Sequence, residues 1–234
     1  MALDAGRGLI KFFRFLHTPH LAWLGSDEPR DDKVLSASEA KELLAGNVLV
    51  EEKLDGANLG FSLAPDGSLR AQNRGQYLHE PFSGQFSRLQ SWLSMHGEAL
   101  RASLTPDLIS FGEWCAARHS LDYPALPDWW LMFDMYDRKA GRFWSAQRRD
   151  EWASKVGAVT VKRIAHGRFD QTALKTMLND SPSTYRDGPL EGIVIRSEQV
   201  DWLKHRAKLV RPDFTQSIEV HWRKRPLQWN RLKA

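Results

Sequence analysis

One cysteine, Cys115, in 234 residues leaves no partner for an intramolecular disulfide and no multi-cysteine zinc site, which fits a reducing compartment and makes the cytoplasm the default location. Long apolar runs are missing too. No stretch approaches the roughly 18 apolar residues of a membrane span, and the segment from Leu9 to Leu24 is broken by Lys11, Arg14, His17 and Pro19. Neither a signal peptide nor a membrane span is read. Internal repeats, low-complexity blocks and Pro/Gly/Ser-rich linkers are also lacking, so one main domain is expected. Charge of one sign is in small surplus: 33 Lys and Arg against 29 Asp and Glu leave +4, too little to specify a nucleic-acid partner. The surplus is concentrated instead. From Val200 onward nine basic residues face three acidic ones, while the rest of the chain is slightly acidic.

What is present is enough for a substantial core: 42% hydrophobic and 26% charged residues. Ser36-Ala-Ser-Glu39 has the form of a capping box and opens a short helix that stops near Gly46. A strand over Asn47 to Glu51 leads into the polar run Glu52 to Asn58. Strands over Leu59–Leu63 and Ser68–Asn73 then flank Pro65-Asp66-Gly67, a hairpin turn. Further strands are predicted at 108–114, 131–136, 159–164, 192–196 and 206–210, with helices at 86–95, 146–156 and 171–178. The fold class is therefore strand-rich α+β, with antiparallel sheets flanked by short helices.

Lys53-Leu54-Asp55-Gly56 is the first candidate for chemistry. On its own it also reads as a lysine closing a strand before an Asp-Gly turn. A lysine amine is a poor nucleophile near neutral pH unless it is desolvated or set among other cations, a service that Lys204, Arg206 or Lys208 would provide. His119, between strands, reads first as a structural hydrogen-bonding group, and Trp129-Trp130 as packing.

These four residues resemble the first signature of the covalent nucleotidyltransferases, the superfamily of ATP-dependent RNA ligases, DNA ligases and mRNA capping enzymes. The later signatures follow in order: Phe111-Gly112-Glu113-Trp114, Phe133-Asp134-Met135-Tyr136-Asp137, Leu190-Glu191-Gly192-Ile193-Val194-Ile195-Arg196, and Arg206-Ala207-Lys208. Asn58, Arg74 and the stretch from Arg118 to Tyr123 resemble RNA ligases in particular. One departure is plain: the fifth signature normally carries two lysines, and the first place here is Arg206, which keeps the charge but not the shape.

The resemblance implies a nucleotidyltransferase fold, an ATP-grasp-like ligase core, over residues 1–211. A short basic tail, 212–234, is too short for an oligonucleotide-binding barrel. It implies ATP as substrate and Mg²⁺ or Mn²⁺ as cofactor. Lys53 is then the nucleophile that takes AMP, with Lys208 and Arg206 at the phosphates. Glu113 takes the ribose and Phe133 the purine face, the backbone at Glu52 and Leu54 reads the purine edge, and Asn58, Arg74 and Glu191 complete the nucleotide site. Asp55 and Glu191 hold the metal through water. The implied partner is RNA with 3′-hydroxyl and 5′-phosphate ends, with an end-healing or accessory protein left open. Arg211 is an RNA-binding candidate, as are Arg223, Lys224 and Arg225 in a tail that interleaves cations with tryptophans from His221 to Arg231. The same tail also reads as an amphipathic helix docked on the core. A DNA ligase core, a capping-type enzyme and a non-ligating RNA-binding module of the same fold remain alternatives.

Overall fold

The computed structural model describes residues 11–25, 33–217 and 226–233. In chain order the elements are α1 (Ala37–Leu43), β1 (Val48–Lys53), β2 (Ala57–Leu63), β3 (Leu69–Gln72), α2 (Leu89–Ser103), β4 (Leu108–Trp114), β5 (Trp130–Asp137), β6 (Arg142–Phe143), α3 (Ala146–Val156), β7 (Val159–Thr160), β8 (Arg163–Gly167), α4 (Gln171–Asp180), β9 (Gly192–Glu198), β10 (Leu203–Val210) and α5 (Pro212–Ser217). They build two sheets. One has four strands in the order β10-β9-β1-β8, all antiparallel; the other runs β3-β2-β4-β5-β6, antiparallel, with β7 added parallel to β5. The α+β class and antiparallel sheets expected from the sequence are what the chain forms.

Each sheet buries its outer face under helices. In the first, Val48, Val50, Ile193, Ile195, Ala207 and Leu209 pack with residues of α1 and α4. In the second, Leu59, Phe61, Trp130 and Met132 pack with Trp92 of α2 and Trp152 of α3. Period-two alternation then sends the intervening side chains to the opposite face. Those are Glu51 and Lys53 on β1, Val194 and Arg196 on β9, Arg206 and Lys208 on β10, Asn58 on β2, Glu113 on β4 and Phe133 on β5, and all of them line one cleft.

Local signals hold where they depend on neighbours in sequence. The capping box forms, with Ser36 accepting from the Glu39 amide and Glu39 from the Ser36 amide. The hairpin turns at Gly67, whose φ of 82° suits glycine, and Ser145 and Asp170 cap α3 and α4.

Two expectations change. The helix placed at 86–95 begins at Leu89, after a 3₁₀ turn at Gly84–Phe86, and continues to Ser103, because Leu100, 1% exposed, anchors its last turn in the core. The single strand placed at 159–164 is two strands in different sheets. The chain crosses over at Val161 and Lys162: the Val161 amide donates to the Met132 carbonyl in one sheet, and the Lys162 carbonyl accepts from the Glu52 amide in the other. The run from Lys53 to Ala57 is a second such crossing. The cleft lies between these two seams.

Candidate active site

Lys53 ends β1, and its Nζ is ion-paired and hydrogen-bonded to Oε1 of Glu191, the residue just before β9. Gly192 makes the approach feasible, since a Cβ there would come within 2.6 Å of the Leu209 carbonyl and 3.3 Å of Lys53 Cδ. Burial by itself lowers the Lys53 pKa, but the carboxylates of Glu191, Glu113 and Asp55 outweigh it and raise the pKa above the ordinary lysine value. This corrects the expectation of a lysine set among cations. Lys204 is turned to the surface, 3.1 Å from Glu42, and Arg206 is paired with Asp134. Burial also pushes Glu113 and Glu191 up, each to about 7, against the opposing charge of Lys53.

Glu113 Oε1 accepts from the Gly56 amide at 3.0 Å, and a Cβ on Gly56 would sit 2.5 Å from the Trp114 carbonyl. The glycine therefore serves the close approach of β4 rather than only that of a phosphate. Asp55 is similarly committed: Oδ2 accepts from the amides of Ser120 and Leu121 at 2.7 and 2.9 Å, and its own amide donates to the Tyr123 hydroxyl. Of its two oxygens, Oδ1 is the one left to face a hydrated ion. The Glu52 carboxylate ties down Ser183 and Thr184, and its amide is taken by Lys162, so the backbone there has only its carbonyl to offer a purine edge. Leu54, 3% exposed, lines the cleft beside Val161 and Phe133.

Phe133 meets Phe15 edge to face at 5.3 Å, and its carbonyl accepts from Arg149 at 2.6 Å and Arg196 at 3.3 Å. Arg74 is carried over the cleft by a turn in which Asn73 Oδ1 accepts from the amides of Gly75 and Gln76. Lys208 lines the cleft from β10 beside Arg206, whose guanidinium lies 4.5 Å over Phe15 and 4.4 Å over Phe143. Asn58 Oδ1 and Glu191 Oε2 are buried without a hydrogen-bond partner, an arrangement that suits a polar ligand. The cleft holds about 610 Å³, within the usual range of small-molecule sites.

Sequence reasoning missed several participants. Phe15, His17 and Thr18 lie in a segment read only for membrane propensity, yet they line the cleft. Tyr123 and Asp134 fell inside quoted signatures without a role. The lone Cys115 is buried, and burial, followed by nearby carboxylates, raises its thiol pKa well above the ordinary value, so it is inert at neutral pH. Of the RNA-binding candidates, Arg211 pairs with Asp213 at 3.1 Å, and Arg223, Lys224 and Arg225 lie outside the described residues. Of the tail, 212–217 form the short helix α5, while 226–233 are extended and return to residues 116–126.

Two facing antiparallel sheets with a lysine, acids and an aromatic on their inner faces have the architecture of a nucleotidyltransferase-type ligase core. The chain belongs to the RNA ligase family, whose model matches residues 46–210. No curated protein matches with significance. Among solved structures it resembles the Naegleria gruberi RNA ligase with pyrophosphate, at 16% identity and a TM-score of 0.58, over 76% of this chain and 53% of that one. Two mutants of the same ligase match similarly: one with ATP and Mn at 17% identity and TM-score 0.57, and one with AMP and Mn at 18% and 0.57, each over 76% of this chain and 53% of that one. The chain thus spans about half the length of the ligases it matches. Among the described residues no helix is long and apolar enough to cross a membrane.

Proposed function

We propose that the protein is an ATP-dependent RNA ligase that works through a lysyl-AMP intermediate on Lys53. The observation that carries this reading is the position of Lys53 Nζ, held by Glu191 at the meeting of two sheets in a cleft that also offers an orphaned Asn58 amide oxygen and the cations Arg74 and Lys208. In the first step the Lys53 nitrogen attacks the α-phosphorus of ATP, the N–P bond forms, and the P–O bond to pyrophosphate breaks. Glu191, pushed up to about 7 by burial, is positioned to take the proton from Nζ. AMP then passes to the 5′-phosphate of RNA, and a 3′-hydroxyl displaces AMP to join the strands. Every step is transfer at phosphorus, so positioning and charge dominate.

Glu113 faces the ribose and Phe133 the purine, while Arg74 and Lys208 neutralise phosphates. The partnerless Glu191 Oε2 and the hard oxygens of Glu113 and Asp55 fit a hydrated Mg²⁺ or Mn²⁺. Bound there, such an ion supplies the positive charge that brings the Lys53 pKa down.

The test is label transfer from α-labelled ATP or GTP with Mg²⁺ or Mn²⁺, comparing the wild type with Lys53→Ala. ATP label that survives denaturation, and falls at least about 10⁴-fold in Lys53→Ala, is the expected result. Label from GTP alone would move the protein to capping chemistry. Folded protein that takes no label would be a binding module.

A further inference from the structure

Beside the nucleotide cleft lies a second cavity of about 420 Å³, lined by the turn around Gln85, by Arg118 to Ser120, and by Pro226 to Gln228 of the returning C-terminal segment. Gln85, Phe86 and His119 line both cavities, so the two are neighbours that share a wall. Its lining offers the Arg118 guanidinium, the His119 imidazole, the hydroxyls of Ser83 and Ser120 and the amides of Gln85 and Gln228, and among the described residues no Asp or Glu. Two carboxylates touch its lining residues: Asp122, 4.0 Å from Arg118, and Asp55, which holds the Ser120 amide. An exposed pair at 4.0 Å is a weak competitor for an incoming anion.

The walls are fixed from beneath. Asn230, 2% exposed, donates to the Cys115 carbonyl at 2.7 Å and accepts from the Tyr123 amide at 2.9 Å, and the Arg118 amide donates to the Gln228 carbonyl. On the opposite wall the Trp114 indole donates to the Gln85 carbonyl, and the Gln85 side chain meets His119 at 2.7 Å. A preformed site rich in donors, free of acids among the described residues that line it and bordering the nucleotide cleft matches the chemistry of a sugar-phosphate backbone.

We propose that this side cavity binds backbone phosphate of the RNA strand whose 5′ end receives AMP, with Arg118 as its cation. The inference rests on the ligase reading and gives that site its polynucleotide side. Self-adenylylation, AMP transfer to a short 5′-phosphorylated RNA, and the salt dependence of RNA affinity are measured in the full chain for Arg118→Ala, Arg118→Lys and Gln228→Glu, with the exposed helical Lys155→Ala as control. Arg118→Ala is expected to lower transfer about 10- to 100-fold more than self-adenylylation and to flatten the log–log salt slope by about 0.7 to 1. Arg118→Lys should recover part of that loss. Gln228→Glu, which keeps the backbone bond and adds a negative charge, should weaken transfer even if Arg118→Ala folds poorly.

Equal losses in both steps, or an unaltered slope and transfer in Arg118→Ala and Gln228→Glu, would overturn the proposal. Absence of self-adenylylation in the wild type would overturn the ligase reading instead, leaving RNA affinity and its salt slope to decide the cavity.

Discussion

Two buried charge clusters meet on β1, one at Glu51 and one at Lys53, and they are built on opposite plans. Around Glu51, Arg149, Arg196, Arg206 and Asp134, cations and acids interlock: Arg149 meets Glu51 at 2.6 Å, and Arg196 meets Asp134 and Glu198 at 2.7 Å each. Two of these arginines also hold the Phe133 carbonyl. Around Lys53, one cation faces Glu191, Glu113 and Asp55, and two buried oxygens in the cleft, on Asn58 and Glu191, have no partner. The first cluster is closed and fixes the geometry of β1, β5, β9 and β10. The second is left short of positive charge and of donors, which is what a site awaiting a nucleotide and a cation requires.

The contrast can be broken most forcefully in the closed cluster. Arg196→Met should lower stability by about 4 kcal/mol in chemical denaturation, because it leaves buried acids uncompensated. A loss below about 1 kcal/mol would mean that the network does not hold the sheets.

In the open cluster the same logic predicts lost rate rather than lost fold. Glu191→Gln should slow single-turnover self-adenylylation about a hundredfold, or about 3 kcal/mol in the barrier, with a smaller change in stability. A variant that unfolded before it slowed would place Glu191 with the structural acids.

The smallest effect concerns pH. The Glu113 pKa is raised by burial from an ordinary 4.5 to about 7, so the folded state holds that proton where the unfolded state has lost it. Its contribution to stability is complete below about pH 4.5 and is lost as pH rises through about 7. Between about pH 5 and about pH 8 the wild type should lose about 2 kcal/mol more than Glu113→Gln, read from parallel denaturation curves. Equal slopes would show that Glu113 is ionised throughout in the free protein.

Much of the cleft was legible because the signatures sit on strands. Lys53, Glu113, Phe133 and Lys208 stand in short signatures that the resemblance picks out, and around Glu113 and Lys208 the neighbours Trp114, Ala207 and Leu209 are outer-face core residues, as strand alternation requires. What stayed hidden depends on long-range pairing. Val159 to Ile164 has the composition of one strand, and only the Met132 and Glu52 partners split it between sheets. Asp55, Glu52 and Gly56 look like ligand-facing groups in sequence, yet each is partly spent on holding a distant loop or strand. Arg149, read simply as a helix residue, supports the aromatic of another element.

The tail shows the same division. Its cations and tryptophans were visible, but the amide of Asn230 that locks 226–233 against the 115–123 loop was not, since a single Asn carries no periodic signal.

By itself, then, the sequence determined the α+β class, the sheet faces, the capped helices and the order of the chemical groups along the chain, because each depends on residues within a turn or a strand of one another. The tertiary structure alone decided that Lys53 is surrounded by acids rather than cations, that Arg206 belongs to a closed ion network, and that the C-terminal segment walls a second cavity. Charge and burial are set by what the fold brings across the cleft, and that distance is measured in space rather than along the chain.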